Sequence, residues 1–180
     1  MKKIKEEKMN AKKKNSKIIA LLVITGIIAG IVYAGYRSDN ISPSAAPAID
    51  GIECNTSEFT TFHIHAHLDF FVNGNHLTVP ERIGIVDNKC LYWLHTHDSS
   101  GVIHIESPKS QEFTLGQFID IWKASGDFPI YGATAKIFVN GQPVNTALND
   151  TRINKHDEIA LVYGNVPPAV PSFYQFGPGE

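Results

Sequence analysis

Hydrophobic and polar residues alternate along positions 61–72, Thr-Phe-His-Ile-His-Ala-His-Leu-Asp-Phe-Phe-Val. The even positions are all apolar. The odd positions from 63 to 69 are His63, His65, His67 and Asp69. A period of two with one apolar face is typical of a β-strand that is buried on one side only. Asn73-Gly74 follows as a strong hairpin signal, so we expect a strand with imidazoles on its polar face.

A second stretch, residues 91–106, predicts another histidine-bearing hairpin. Asp98-Ser99-Ser100-Gly101 is composed of turn-forming residues. A turn there places His95 directly opposite His104, with His97 on the same face of the sheet. Glu106 would project from that face as well. Two separate segments therefore each place three histidines on one side of a sheet.

Imidazoles clustered on strand faces predict a metal site. Successive same-face residues are about 6.7 Å apart, so a His-X-His pair can share one ion with a histidine from a neighbouring strand, as zinc is held in carbonic anhydrase. The candidate ligands are His63, His65, His67, His95, His97 and His104. We expect two residues of the first strand to meet some of the second group around one divalent ion, or around two.

Carboxylates near these histidines are candidates for orienting the imidazole rings from behind. They are Asp69, Asp98 and Glu106. The isolated His76 and His156 are expected to be ordinary polar residues without a metal.

The donor types favour zinc or copper and do not separate the two. Met1 and Met9 are the only methionines, and both precede the predicted domain. A soft Cu(I) site built from thioether or thiolate ligands is therefore unsupported, whereas all-imidazole sites suit Zn(II), Cu(II), Ni(II) or Fe(II).

The two cysteines, Cys54 and Cys90, are expected to form a disulfide bond, because an even pair in an exported domain is usually oxidised. The alternative is a pair of thiolate metal ligands, but the spacing is not that of a zinc motif. Asn40, Asn55 and Asn149 each begin an Asn-X-Ser/Thr sequon.

The second half of the domain predicts one helix among strands. Residues 113–126 have a Thr114–Gln117 capping box and end at Gly126. Asn140-Gly141 predicts a further hairpin, and residues 158–163 a final strand. The predicted fold class is α+β: a single N-terminal transmembrane helix, then a mainly antiparallel β domain with one central helix, with a β-grasp-like order as one candidate.

The N-terminal segment predicts a membrane anchor. Residues 18–36 carry no charge over 19 positions, which is about the length that spans a bilayer. Residues 1–17 contain eight lysines and only two glutamates, so the N-terminus is expected in the cytoplasm and the domain outside the cell membrane. A cleaved signal peptide is the alternative.

The remaining chain divides into a linker over 37–50, a His-rich domain over 51–170 and a Pro-rich tail over 171–180. Outside the leader, acidic residues outnumber Lys and Arg by 16 to 8. This excess argues against a nucleic-acid partner, since a phosphate-binding domain carries its positive charge on the folded part. Small residues at Gly26, Gly30 and Ala34 could pair two anchors into a homodimer.

Several phrases resemble those of a family of archaeal and bacterial membrane-anchored or secreted His-rich proteins. They are HIHAHLDFFVNG, VPERIGI, CLYWLHTHDSSGVIHIESP, FTLGQFIDIW, KIFVNGQPV and VPPAVPSFYQF, within residues 60–176. All six candidate ligands lie inside these phrases. The resemblance carries over to five of them, His63, His67, His95, His97 and His104, and does not assign His65 to the family's pattern. The resemblance implies export or anchoring, but it supplies no activity and no ligand set.

Three functions fit the sequence. The first is a non-catalytic, membrane-anchored metal-binding domain for uptake, delivery or buffering. The second is an accessory subunit of a membrane protein complex. The third is a metal-dependent enzyme, which would need an open coordination position and a base such as Asp98 or Glu106.

Overall fold

The computed structural model describes residues 22–30, 45–87, 89–130 and 134–180. The chain forms two compact units, Met1–Ser42 and Pro43–Glu180. In the first unit, residues 22–30 are helical. No helix among the described residues is both long and apolar enough to cross a membrane. The basic stretch 1–17 and the rest of the predicted span 18–36 lie outside the described residues.

The second unit is built from two β-sheets and one α-helix within its described residues. In chain order, the elements are β1 (Ala46–Ile49), β2 (Ile52–Asn55), β3 (Phe62–Val72), β4 (Asn75–Leu77), β5 (Ile85–Val86), β6 (Cys90–Tyr92), β7 (Leu94–His95), β8 (Val102–Ser107), α1 (Leu115–Ser125), β9 (Ala135–Val139), β10 (Gln142–Val144), a 3-10 turn (Leu148–Asp150) and β11 (Glu158–Tyr163). The smaller sheet has the order β1-β2-β6-β5, and the larger has β10-β9-β11-β3-β8-β7 with β4 on β3.

Strand β3 lies in the interior of the larger sheet and has one apolar face, as the alternation predicts. It pairs antiparallel with β8 and parallel with β11. Its even-numbered side chains enter the core, where the Phe70 ring packs edge-on against Trp122 of α1 at 5.3 Å between centroids. The odd-numbered residues therefore lie on the opposite face, away from the helix.

The predicted helix is confirmed, including both ends. The Thr114 hydroxyl accepts a hydrogen bond from the Gln117 backbone N–H, and the Gln117 side-chain oxygen accepts one from the Thr114 backbone N–H. Gly126 ends the helix in the left-handed conformation. Both predicted Asn-Gly hairpins are also confirmed, since β3 pairs with β4 and β9 with β10 across them.

The predicted fold class is wrong in its balance of helix and strand. The described residues are mainly β, with two sheets and little helix, rather than the expected α+β domain with a β-grasp-like order. The sequence pattern missed the smaller sheet because its strands are only two to four residues long. Such short strands contain too few positions for a period of two to be recognised.

The predicted disulfide is confirmed: Cys54 of β2 is bonded to Cys90 of β6, with 5.3 Å between their Cα atoms. Both cysteines are buried. The bond ties together two neighbouring strands of the smaller sheet. Because β7 follows β6 after a single residue, the bond also anchors the strand that carries His95.

Candidate metal centre

Three adjacent strands of the larger sheet bring the histidines together. His63 and His65 lie on β3, His104 lies on β8 and His95 ends β7. His65 pairs with His104 across β3 and β8, and His104 pairs with His95 across β8 and β7. The predicted cross-strand pair of His95 and His104 is therefore confirmed. His97 follows two residues after His95 and joins the same cluster.

The turn before β8 requires glycine, and this turn sets the register of the histidines. Gly101 has a φ of +90°, and a Cβ atom there would lie 2.6 Å from the backbone oxygen of Leu68. A larger residue would clash with β3, since Cβ atoms essentially never approach backbone oxygens so closely. The turn residues thus place His104 opposite His65.

The first group of converging ring nitrogens belongs to His63, His65 and His104. His65 Nε2 lies 3.0 Å from His63 Nε2 and 3.0 Å from His104 Nδ1. A ring nitrogen has either one proton or one lone pair in the ring plane. His65 Nε2 can therefore form a linear hydrogen bond with only one of these two neighbours.

The same distances match the edges of a metal coordination shell. At a Zn–N distance of 2.0–2.1 Å, two nitrogens of a tetrahedral site lie about 3.3 Å apart. An ion placed among the three nitrogens would accept all three lone pairs, which hydrogen bonding alone cannot satisfy. The ligand atoms of these three residues all lie within 4.8 Å of one another, so the group could hold a metal ion.

The second group is built around His95 and His97. The Nε2 atoms of these two rings are 3.2 Å apart, and His97 Nε2 lies 3.3 Å from Glu58 Oε1. His95 Nδ1 donates a hydrogen bond of 2.8 Å to the backbone oxygen of Tyr92. Because the proton is on Nδ1 in the neutral ring, the lone pair of His95 Nε2 faces the cluster, as a metal ligand requires.

Glu106 lies between the two groups and is almost fully buried, with 2% of the residue exposed. Its Oε1 atom is 3.2 Å from His63 Nε2 and 3.8 Å from His104 Nδ1. Its Oε2 atom is buried without a hydrogen-bond partner. The pKa of Glu106 is lowered although burial opposes this, because His104 and the other imidazoles favour the carboxylate. The cluster therefore contains a buried negative charge with a free oxygen.

Two of the histidines are kept neutral by their surroundings. Burial lowers the pKa of His65 to about 4, helped by repulsion from His104 and His63. Burial also lowers the pKa of His95 to about 4. Neutral imidazole is the form that binds metals, so both rings are ready ligands at neutral pH.

The cluster has a buried side and an open side. His65, His95 and Glu106 are buried, whereas the side chains of His63 and His97 are 37% and 42% exposed. A groove of about 530 Å³ borders His97 and is also lined by Arg82 and Lys89. An ion in the cluster would be held by the buried side chains and would be reached by solvent from the side of His63 and His97.

The structure separates His67 from the cluster. His67 Nδ1 lies 2.8 Å from Glu158 Oε2, and His67 Nε2 lies 2.8 Å from the backbone oxygen of Ser100. Although burial opposes it, the Glu158 carboxylate raises the pKa of His67 above its ordinary value. A ring that donates from both nitrogens has no lone pair for a metal. Of the three histidines on β3, the two in the cluster are therefore His63 and His65.

The structure also places the predicted orienting carboxylates. Only Glu106 faces the cluster directly. Asp69 accepts a hydrogen bond of 2.9 Å from His76 and lies beside His67 and Glu158, where the His67 ring has no lone pair left for an ion. Asp98 accepts the backbone N–H of Ser100 at 2.9 Å and acts as a turn residue.

Two residues near the cluster were missed by the sequence pattern. Glu58 lies in the loop before β3, outside the alternating segment, yet it reaches His97. Glu180, at the chain end, lies close enough to His65 to favour the charged form of that ring. Neither residue has a local signal in the sequence.

Among the described residues, four groups of three histidine or carboxylate side chains could hold a metal ion. Three of these groups share residues and form one cluster: Glu58, His63, His65, His95, His97, His104 and Glu106. We call these seven residues the histidine cluster. Comparison with protein-family models, curated proteins and solved structures finds no match for this chain.

Proposed function

We propose that this protein binds a divalent transition-metal ion, zinc or copper, through His63, His65 and His104, and that it handles this metal without catalysing a reaction. The observation that carries the proposal is the approach of His65 Nε2 to two other ring nitrogens at 3.0 Å each. A hydrogen bond can satisfy only one of these two contacts, whereas a metal cation can bind the lone pairs of all three ring nitrogens.

The donor set supports a metal of intermediate softness. The converging atoms are imidazole nitrogens, with a buried carboxylate oxygen of Glu106 beside them. Both cysteines are used in the disulfide bond. Imidazole ligands suit zinc and copper, whereas calcium and magnesium prefer oxygen ligands.

The partial exposure of the cluster supports metal exchange. His63 is 37% exposed at its side chain, so an ion could enter and leave without unfolding the sheet. A purely structural ion is usually enclosed by four protein ligands. The disulfide and the apolar core already hold the fold together, which favours a role in binding and release.

The test is metal analysis of the full-length protein, purified without chelator and then titrated with Zn(II) or Cu(II). We expect tight binding of zinc or copper by the wild type and a loss of at least about tenfold in affinity for His104→Ala. His95→Ala should lose metal as well, because His95 and His104 belong to the same cluster.

His156→Ala is the matched control, since His156 contacts Glu180 and Phe176 and lies outside the cluster. This variant should bind metal as the wild type does. Equal losses in the His95, His104 and His156 variants would contradict the assignment. A wild-type protein that refuses both metals at micromolar concentration would overturn the proposed function.

A metal-dependent enzyme is the second candidate, and one observation favours it. The groove of about 530 Å³ beside His97 is lined by the cationic side chains of Arg82 and Lys89. An anionic substrate could bind there with its reacting group near the ion. Turnover of 4-nitrophenyl phosphate by metal-loaded protein, lost in His97→Ala, would favour this candidate over metal handling.

A further inference from the structure

We infer that the histidine cluster holds two metal ions bridged by the carboxylate of Glu106. The inference rests on the proposed function, which requires only one ion at His63, His65 and His104. It extends that function to a second ion, held by His95, His97 and Glu58.

The geometry of the cluster divides its ligands into two sets. His63, His65 and His104 form one group, and His95 and His97, with 3.2 Å between their Nε2 atoms, form a second group that His104 also borders. The second group has its own carboxylate, because Glu58 Oε1 lies 3.3 Å from His97 Nε2. The seven ligand residues of the cluster exceed the four that a tetrahedral zinc ion takes, so one such ion would leave part of the cluster unused.

Glu106 belongs to both sets. Its Oε1 atom faces His63 and His104 at 3.2 and 3.8 Å. Its carboxylate also groups with His95 and Glu58, with all ligand atoms within 4.8 Å. One carboxylate placed between two sets of ligands can give one oxygen to each ion.

The second oxygen of Glu106 has no other role. Glu106 Oε2 is buried and has no hydrogen-bond partner. Burying an unpaired carboxylate oxygen is costly, and buried charges are normally paired or bound to metals. Because the Glu106 carboxylate also groups with His95 and Glu58, an ion held by the second set could bind this oxygen.

Charge balance supports two divalent ions as well. The seven residues of the cluster include two carboxylates, Glu58 and Glu106, and five histidines that bind metal in the neutral form. Two divalent ions bring four positive charges against two negative ones. Solvent hydroxide can supply the remaining negative charge at the open side, where His63 and His97 are partly exposed.

The test is the stoichiometry of Zn(II) on the full-length protein, measured by native mass spectrometry. Wild type should bind two zinc ions. The double variant Glu58→Gln/His97→Ala and the single variant His63→Ala should each lose at least about tenfold in affinity for one ion and keep the other. Glu112→Gln, which neutralises an exposed carboxylate paired with Arg152, is the control and should bind two.

The bridge itself is tested with Cu(II) as the probe. Two copper ions that share Glu106 should give an electron paramagnetic resonance spectrum with spin coupling, and Glu106→Gln should lose the coupling or the second ion. Two uncoupled copper ions in the wild type would overturn the bridge. A single bound ion would overturn the inference and leave the proposed function standing, whereas no bound ion would overturn both.

Discussion

His65 and His95 are histidines that resist protonation. Each lies almost fully buried beside other imidazoles, and burial lowers the pKa of each to about 4. In the unfolded chain the same rings have a pKa of about 6.5. At these two positions the folded, metal-free protein therefore binds fewer protons than the unfolded chain between these two pH values.

This difference predicts that the metal-free protein loses stability in acid. Stability rises with pH wherever the unfolded state binds more protons, so it falls as pH decreases from about 6.5 to 4. At pH 5 we expect a loss on the order of 2 kcal/mol for each of the two histidines. Urea unfolding of metal-free protein at pH 7.5 and pH 5 measures the loss.

The matched variant for this prediction is His65→Asn, which removes one of the two rings. Its free energy of unfolding should fall less between pH 7.5 and pH 5 than that of the wild type. An identical fall in both proteins would show that the acid sensitivity arises elsewhere.

At the scale of single elements, β3 shows how a strand divides its two faces between packing and chemistry. Its even side chains fill the core against α1, and its odd side chains include two members of the histidine cluster. A slip of one residue would exchange the two faces and bury the imidazoles in the core. The pairing of His65 with His104 therefore depends on a single register of β3 against β8.

The disulfide in the smaller sheet predicts a large effect on stability. Cys54 and Cys90 close a loop with a sequence separation of 36 residues. Because the bond limits the freedom of the unfolded chain, Cys54→Ala/Cys90→Ala should lower the free energy of unfolding by about 4 kcal/mol. Urea unfolding under non-reducing conditions measures the change.

Reduction provides the control for this element. Dithiothreitol should destabilise the wild type by a similar amount and leave the double variant unchanged. A wild-type protein that is indifferent to reductant would contradict a stabilising role for the bond.

At the scale of the whole domain, the C-terminal segment folds back over the polar face of the larger sheet. Tyr174 stacks on His67 with 3.8 Å between ring centroids, and Phe176 stacks on His156 at 4.5 Å. Val170 packs against Phe71 on the same face. The tail thus packs on this face of the sheet beside His67 and Phe71.

Two adjacent aromatic residues allow this packing to be tested. Tyr174→Ala should lower the free energy of unfolding by about 1 kcal/mol, because it removes an aromatic stack on a buried ring. Phe173 is 75% exposed, so Phe173→Ala should change the free energy of unfolding by less than about 0.5 kcal/mol. Urea unfolding of both variants gives the comparison, and equal effects would contradict the packing of the tail on the sheet.

Much of the candidate site could be predicted from local patterns. Alternation placed His63 and His65 on one face of β3, and the turn at Asp98–Gly101 placed His95 opposite His104. Glu58 and Glu180 could not be predicted, because residues in a loop or at the chain end follow no hydrophobic periodicity that indicates where their side chains point. Likewise, nothing local to His67 indicates that parallel pairing brings Glu158 beside it.

The sequence by itself determined the half-buried strand, both Asn-Gly hairpins, the capped helix and the disulfide. Each of these depends on neighbours along the chain or on the chemistry of one residue pair. Tertiary structure alone decided that the described residues are mainly β and that Glu58 and Glu106 lie beside the histidines. These features arise from packing between segments that are far apart in the sequence. Local propensity does not determine them, because burial and charge pairing depend on which segments come into contact.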